Sequence, residues 1–324
     1  MKEFRAVIIL FCLGFAFRPA VALASGPDEL IKLKADLTIG VEEGDENLIF
    51  GSVSQIDLDR DGRIYILDKK DKKVRIFEPG GKFLATISIP AGQGPAELTN
   101  INSMAVSPEG LVFLNEMRKV VVYDRQGTFI RSFSLDFNAT SIGNAGDESV
   151  IALGLREEKI LHVFDFAGRL IRSFGEPFDV PAALSEYKDN PILKAPFFFG
   201  ASKSGRVFLL NPHAYEIRVY EKFNLIGVIH GKNEYFERAS TPQQARGRAF
   251  LFPNGFIQGS GERTYVKIRK PMEKTGQELD VFEGGRQIGR LTVSGFPLAV
   301  DKEGRLYFAE EENYPRIVRY VVVK

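Results

Sequence analysis

The sequence predicts an all-β fold: a six-bladed β-propeller of four-stranded antiparallel blades whose ring is closed by an N-terminal strand in the last blade. Three observations carry this. A short motif of apolar or basic residues, then an aromatic, then usually an acid recurs along the chain, with its aromatic at Phe77, Tyr123, Phe164, Tyr220, Phe282 and Tyr320. The spacings between neighbouring markers are 46, 41, 56, 62 and 38 residues, which scatter about the length of one propeller blade. The last unit, PLAVDKEGRLYFAEEENYPRIVRYVVVK, stops after three strands, whereas Asp36 to Val41 reads as a strand with no unit of its own. An open sheet edge is a liability, and borrowing a strand from the other terminus removes it.

The chain opens on a basic start, MKEFR, followed by the apolar run Ala6 to Phe17 and the small-residue site Ala22-Leu23-Ala24. The run is too short to span a bilayer comfortably, so residues 1–24 read as a secretory signal peptide and residues 25–324 as a single propeller domain. An exported product, periplasmic or extracellular, is expected. The lone cysteine, Cys12, lies inside the apolar run, so the mature chain would hold no disulfide, no thiolate metal site and no cysteine nucleophile. Acidic and basic residues are nearly balanced, which gives no electrostatic footprint for nucleic acid. No later segment is long and apolar enough to cross a bilayer, and a monomer is expected.

The first unit, SQIDLDRDGRIYILDKKDKKVRIFEPGGKFLATI, turns at Asp61-Gly62 and at Pro79-Gly80-Gly81. In the second, Ser103 to Ser107 is a strand, Pro108-Glu109-Gly110 a turn and Leu111 to Leu114 a second strand. A polar loop, Asn115 to Arg118, then leads to a third strand ending at Tyr123, and Thr128 to Ser134 makes the fourth. The fifth unit is the weakest: its inner strand is either Phe256 to Gly259 or Ala249 to Phe252, and the first is preferred because Ser260-Gly261-Glu262 then supplies the expected turn. Between the first two units lies IPAGQGPAEL. It has neither the third glycine nor the Lys-Ser or Lys-Thr pair of a phosphate loop, and Pro95 removes a donor. It reads as a connector between blades, with Glu97-Leu98 as its anchor.

DRDGRIYILDKKDKKVRIFEPGGKFL followed by AGQGPAEL resembles the NHL-type repeat of six-bladed propellers, and the resemblance extends over essentially the whole mature chain. It implies the fold firmly and function poorly, because related propellers include binding modules, sensors and metal-dependent lyases or lactonases. The absence of tryptophan disfavours WD40, kelch and quinoprotein propellers.

Asp57-Leu58-Asp59-Arg60-Asp61-Gly62 imitates the start of a calcium loop, but it sits in strand-like alternation without flanking helices. The equivalent turns read Ser107-Pro108-Glu109-Gly110, Ser202-Lys203-Ser204-Gly205 and Asp301-Lys302-Glu303-Gly304, so the repeated requirement is a turn. Of the histidines, His162 falls in a third strand, His230 ends a fourth, and only His213 lies in a loop on the face of the blade connectors. No catalytic set is recognised and no cofactor is expected, with a divalent metal held by channel carboxylates as the alternative. The candidate contacts for a protein or small-ligand partner lie on that face. They are Asn115 and Arg118 in the second unit, His213 and Tyr215 in the fourth, and Tyr235, Arg238, Arg246 and Arg248 in the connector 231–250. A second long connector, 175–196, carries a short helical possibility at Ala182 to Asp189. The reading is thus a binding module, with a channel metalloenzyme as its competitor.

Overall fold

A computed structural model describes residues 32–195 apart from 145 and 147, and then 199–201, 205–211, 213–233, 255–258, 263–268, 277–293 and 295–323. The expected signal peptide lies outside these residues. The chain forms six four-stranded antiparallel sheets. The first blade is β2–β5 (Val53–Leu58, Ile64–Asp68, Lys73–Phe77, Phe83–Ser88) and the second β6–β9 (Ser103–Val106, Val112–Glu116, Lys119–Tyr123, Phe129–Ser134). The third is β10–β13 (Ser141–Asn144, Ser149–Arg156, Lys159–Asp165, Leu170–Phe174) and the fourth β14–β17 (Phe199–Ala201, Arg206–Leu210, Glu216–Glu221, Asn224–His230). The fifth is β18–β21 (Gly255–Gln258, Thr264–Ile268, Gln277–Glu283, Arg286–Val293). Its inner strand is the preferred one of the two candidates.

The sixth blade is β22–β24 (Pro297–Val300, Leu306–Glu310, Arg316–Val323), and its outer strand is β1 (Lys32–Ile39), paired antiparallel to β24 from Lys32↔Val323 to Ile39↔Ile317. The ring is therefore closed by the N-terminal strand. That strand lies a few residues earlier than Asp36 to Val41, because Gly40 adopts a φ of +129° that ends the ladder. In the second blade the expected loop 115–118 is shorter too: β7 runs to Glu116 and β8 starts at Lys119, leaving a two-residue turn.

The core is not central but divided among the seams between blades. One apolar cluster joins Tyr65, Val74 and Ile87 of the first blade to Met104, Leu114 and Val121 of the second, and equivalent clusters fill the next seams round the ring. The closing seam sets Ile39, Tyr307 and Ile317 against Ile56, Ile64 and Phe77. Each blade is covered on both faces, so its middle strands are buried at consecutive positions, as in β3, while outer strands such as β17 stay exposed. This explains why apolar runs rather than strict alternation mark the repeat.

In every blade the outer strand carries one extra residue opposite the aromatic marker. The register shifts between Ile76 and Phe77, Val122 and Tyr123, Val163 and Phe164, Val219 and Tyr220, and Val281 and Phe282. The residues bulged out are Leu84, Ile130, Ile171, Ile226 and Ile288, all solvent-exposed. In the sixth blade the bulged residue is Asp36, between Ala35↔Tyr320 and Leu37↔Arg319. Such bulges twist an edge away from further pairing.

Candidate binding face

Consecutive antiparallel strands divide the loops between two ends of the ring. Turns from first to second and from third to fourth strands share one face, and it is there that the sequence repeats. Asp59, 2% exposed, accepts hydrogen bonds from the backbone N–H groups of Asp61 and Arg63 (both 2.9 Å), from Arg63 Nη1 (3.0 Å) and from Tyr65 Oη (3.1 Å). Asp301 does the same for Glu303 N, Arg305 N, Arg305 Nε and Tyr307 Oη. Burial, with the Asp59 carboxylate second, drives the Tyr65 hydroxyl pKa well above its ordinary value. Ser107 replaces the aspartate in the second blade, its Oγ accepting from Leu111 N at 3.0 Å. The calcium-like run is thus a turn that consumes its own carboxylate.

The opposite face carries the turns from second to third strands and the connectors between blades. It has no common motif: Lys69–Lys72 in the first blade, Met117-Arg118 in the second, Glu157-Glu158 in the third, 211–215 in the fourth and 311–315 in the sixth. Here IPAGQGPAEL is the connector that was expected. Glu97 folds back so that its Oε2 accepts from Gly94 N at 2.8 Å, Leu98 is fully buried, and Lys119 Nζ donates to the Glu97 carbonyl at 2.8 Å. The phosphate-like glycines thus face a carboxylate of their own chain.

The candidate contacts fall into two groups on this face, in the second and fourth blades, with the third between them. Asn115 is fully buried: Ser103 Oγ donates to its carbonyl (3.4 Å), and its amide nitrogen donates to the Met117 (3.2 Å) and Lys119 (3.4 Å) carbonyls. It shapes the turn beneath Met117 and has no surface for a partner, which corrects the expectation of a contact residue. Arg118 is exposed. Tyr215 is 5% exposed and donates to Asp280 Oδ2 in the fifth blade at 2.7 Å, an inter-blade tie that removes it, too, from the open surface. Asp280 is further held by Asn233 Nδ2 (2.8 Å) and Arg290 Nε (2.9 Å). His213 Nε2 lies 2.6 Å from the Leu193 carbonyl, and burial lowers its pKa. It thereby pins the connector 175–195, whose 3-10 turn Ala182–Tyr187 and helix α1 (Pro191–Lys194) bury Leu184 and Leu193 together. Tyr235, Arg238, Arg246 and Arg248 lie outside the described residues.

Charged groups that the motif search passed over are more accessible. Glu42, Glu43, Asp45 and Glu46, in the connector from β1 to β2, and Glu311 and Glu312 of the sixth blade are all exposed. The second-to-third-strand turn of the first blade, on the same face, adds Lys69, Lys70 and Asp71, all exposed, and the half-buried Lys72. The composition of these loops alone, read as local charge rather than motif, held the signal.

The inner strands line the central channel, and Asp57 is the one acidic residue in them. Its Oδ2 accepts from Val106 N of the second blade at 2.8 Å, while Gln55 Oε1 accepts from Met104 N and Ser103 Oγ from Ile142 N. Polar channel side chains therefore close the open edges of neighbouring blades. His162 is fully buried, with Nδ1 2.9 Å from Ser173 Oγ and Nε2 3.0 Å from the Gly154 carbonyl. Burial lowers its pKa. Among the described residues no group of His, Cys, Asp or Glu side chains is arranged to hold a metal.

A family profile described as a 6-bladed beta-propeller matches residues 39–152. No curated protein matches the chain. Among solved structures, the chain is similar to a protein of Bacteroides fragilis NCTC 9343 described as exported, at 12% identity and a TM-score of 0.61, over 92% of this chain and 96% of that one. It is also similar to a duf4221 family member from Bacteroides vulgatus, at 12% identity and a TM-score of 0.60, over 91% and 99%. Virginiamycin B lyase from Staphylococcus aureus matches at 13% identity with a TM-score of 0.55, over 90% of this chain and all of that one. At such identities these likenesses establish the six-bladed fold alone.

Proposed function

We propose that this chain is an exported propeller of NHL type that works as a non-catalytic binding scaffold, taking a protein or small-ligand partner on the connector face. One contrast carries the reading. The turn face repeats one motif and spends its carboxylates on its own backbone, whereas the connector face differs from blade to blade and exposes Lys70, Glu42, Glu43, Asp45, Glu46, Glu311 and Glu312. A scaffold constraint repeats in every blade; surface that does not repeat is free to hold a function. The channel supports the competing metalloenzyme poorly, since its single inner-strand carboxylate is bound to a neighbouring N–H. Export rests on the basic, apolar and small-residue order of residues 1–24.

The test is capture from the native envelope fraction by the mature protein, with two charge reversals alongside. Lys70→Glu with Arg118→Glu alters the connector face, and Arg125→Glu alters the turn face. A partner retained by wild type and the turn-face variant but lost by the connector-face variant supports the proposal; equal capture by all forms overturns it. Copurifying divalent metal with EDTA-sensitive melting would move the assignment to the channel.

A further inference from the structure

We propose that the outer edge of the fourth blade pairs antiparallel with the same edge of a second copy of this chain. β17 is the terminal strand of its sheet. It exposes Leu225 (52%), Ile226 (51%) and Val228 (41%), and Phe223 beside it is exposed as well. An open apolar edge strand is a template for another strand unless it is blunted by charge, proline or cover. The other outer strands are mostly blunted by charge: Arg131 in β9, Arg172 in β13, Arg286 and Arg290 in β21, and Lys34 with Asp36 in β1. β5 lacks charge but exposes only Leu84 among large apolar residues. β17, NLIGVIH, has no acidic, lysine, arginine or proline residue; it shares the bulge of the other outer strands, and the residue bulged there, Ile226, is apolar and exposed.

The occupant follows from the order of residues. About Gly227 the strand is nearly palindromic, so an antiparallel copy sets Leu225 opposite Ile229, Ile226 opposite Val228 and Asn224 opposite His230. Like meets like, with no acid or lysine inside the paired stretch, and this is the self-complementarity a two-fold interface requires. Lys222 would face Lys232 of the partner subunit beyond the ends of the strand, so added salt strengthens the association. The area fits a weak association. Leu170 and Ile171 of the adjacent blade extend the patch, Phe223 bridges to it through its 5.4 Å contact with Phe174, and together these side chains offer roughly 500 Å² per copy, about 1,000 Å² in total, the area of a weak, transient dimer. A monomer was the expectation from composition, which carries no information about which strand is left unprotected. Because the strands run between the two faces of the ring, antiparallel pairing inverts one copy. The two connector faces then point in opposite directions, and a dimer of this kind would engage two partners at once.

Sedimentation of the mature chain is the test. Wild type is expected to dimerise, Ile226→Lys to weaken the association by about tenfold or more, and Ile130→Lys, the same bulge on the second blade, to leave it unchanged. Gly227 sits on the proposed axis and a side chain there would meet nothing within 4 Å in the monomer. Gly227→Cys, in a mature chain without other cysteines, should therefore crosslink to its own copy on mild oxidation, a readout independent of the charged variant. A wild-type monomer at concentrations up to about 100 µM, where association as weak as this edge implies would be populated, overturns the proposal. So does Gly227→Cys that forms no covalent dimer.

Discussion

Arg319 and Asp36 stand 283 residues apart in the chain and form a two-pronged ion pair, with Nε 2.8 Å from Oδ1 and Nη2 2.9 Å from Oδ2. Arg319 also donates to the Pro79 carbonyl of the first blade at 2.8 Å, so one guanidinium ties the closing strand to both sides of the seam. The corresponding positions of the other blades hold an apolar pair, such as Val122 with the bulged Ile130. The blade that must assemble from the two ends of the chain thus carries an ion pair at its bulge where the others are apolar.

Asp36→Ala should destabilise the ring by about 1–3 kcal/mol, because it strands a guanidinium that is only 8% exposed. Replacing both partners, Arg319→Val with Asp36→Ile, restores the pattern of the other blades and should recover most of the loss; urea unfolding of the single and double variants measures the coupling. Arg319 holds the Asp36 carboxyl below its usual pKa, mainly through the hydrogen bond. The contribution is therefore complete above pH 3.8 and disappears as pH falls through the lower folded value. Equal melting of Asp36→Ala and wild type would refute this contribution of the ion pair.

The turn aspartates make a second case. Asp59→Ala and Asp301→Ala each leave two backbone N–H groups and a buried tyrosine hydroxyl without their acceptor, and each should cost about 2–4 kcal/mol. If the run were a calcium loop, calcium would raise the melting temperature of wild type and Asp59→Ala would abolish that rise. Calorimetry with calcium or EDTA is expected to give superimposable wild-type transitions.

Most of the ring was legible because its requirements repeat. The aromatic markers, the Gly-containing turns and the truncated last unit each state a constraint several times, and the preferred inner strand of the fifth blade followed from the same frame. The binding residues were less legible for a related reason. Asn115 and Tyr215 have the polar and aromatic character of contact residues, but whether such a side chain meets solvent or the neighbouring blade depends on the direction of its Cβ, which spacing in a non-repeating loop does not fix. The bulge opposite each aromatic marker was hidden for the opposite cause. It adds one residue to every fourth strand alike, so nothing in the spacing of the units betrays it.

Acid should loosen the third and fourth blades before the carboxylates titrate. Burial lowers the pKa of His162 and of His213 below 6.5, so the unfolded chain binds more protons than the folded one just below that pH. Stability is therefore full above pH 6.5 and declines as pH falls toward the folded values. His162→Gln should lower stability at neutral pH yet flatten this slope, and adding His213→Gln should flatten it further. Denaturant midpoints taken across the range decide it, and an unchanged slope in the double variant would refute the assignment.

The last prediction concerns the glycines that look like a phosphate loop. Gly92 has a φ of +151°, and a Cβ there would lie 2.0 Å from Glu97 Oε2, whereas at Gly94 the nearest atom, Glu97 Cδ, would be 2.9 Å away with no left-handed φ. Gly92→Ala must displace the glutamate that anchors the connector and should cost about 1–3 kcal/mol, and Gly94→Ala, which can be met by a small shift of the same side chain, should cost less. Glu97→Ala removes the obstacle and should make Gly92→Ala milder, a non-additivity that a phosphate-binding role would not produce. Thermal melts of the single and double variants read it directly, and inorganic phosphate should move none of them. A rise in melting temperature with phosphate that Gly92→Ala abolished would return the loop to the anion-binding class that its glycines imitate.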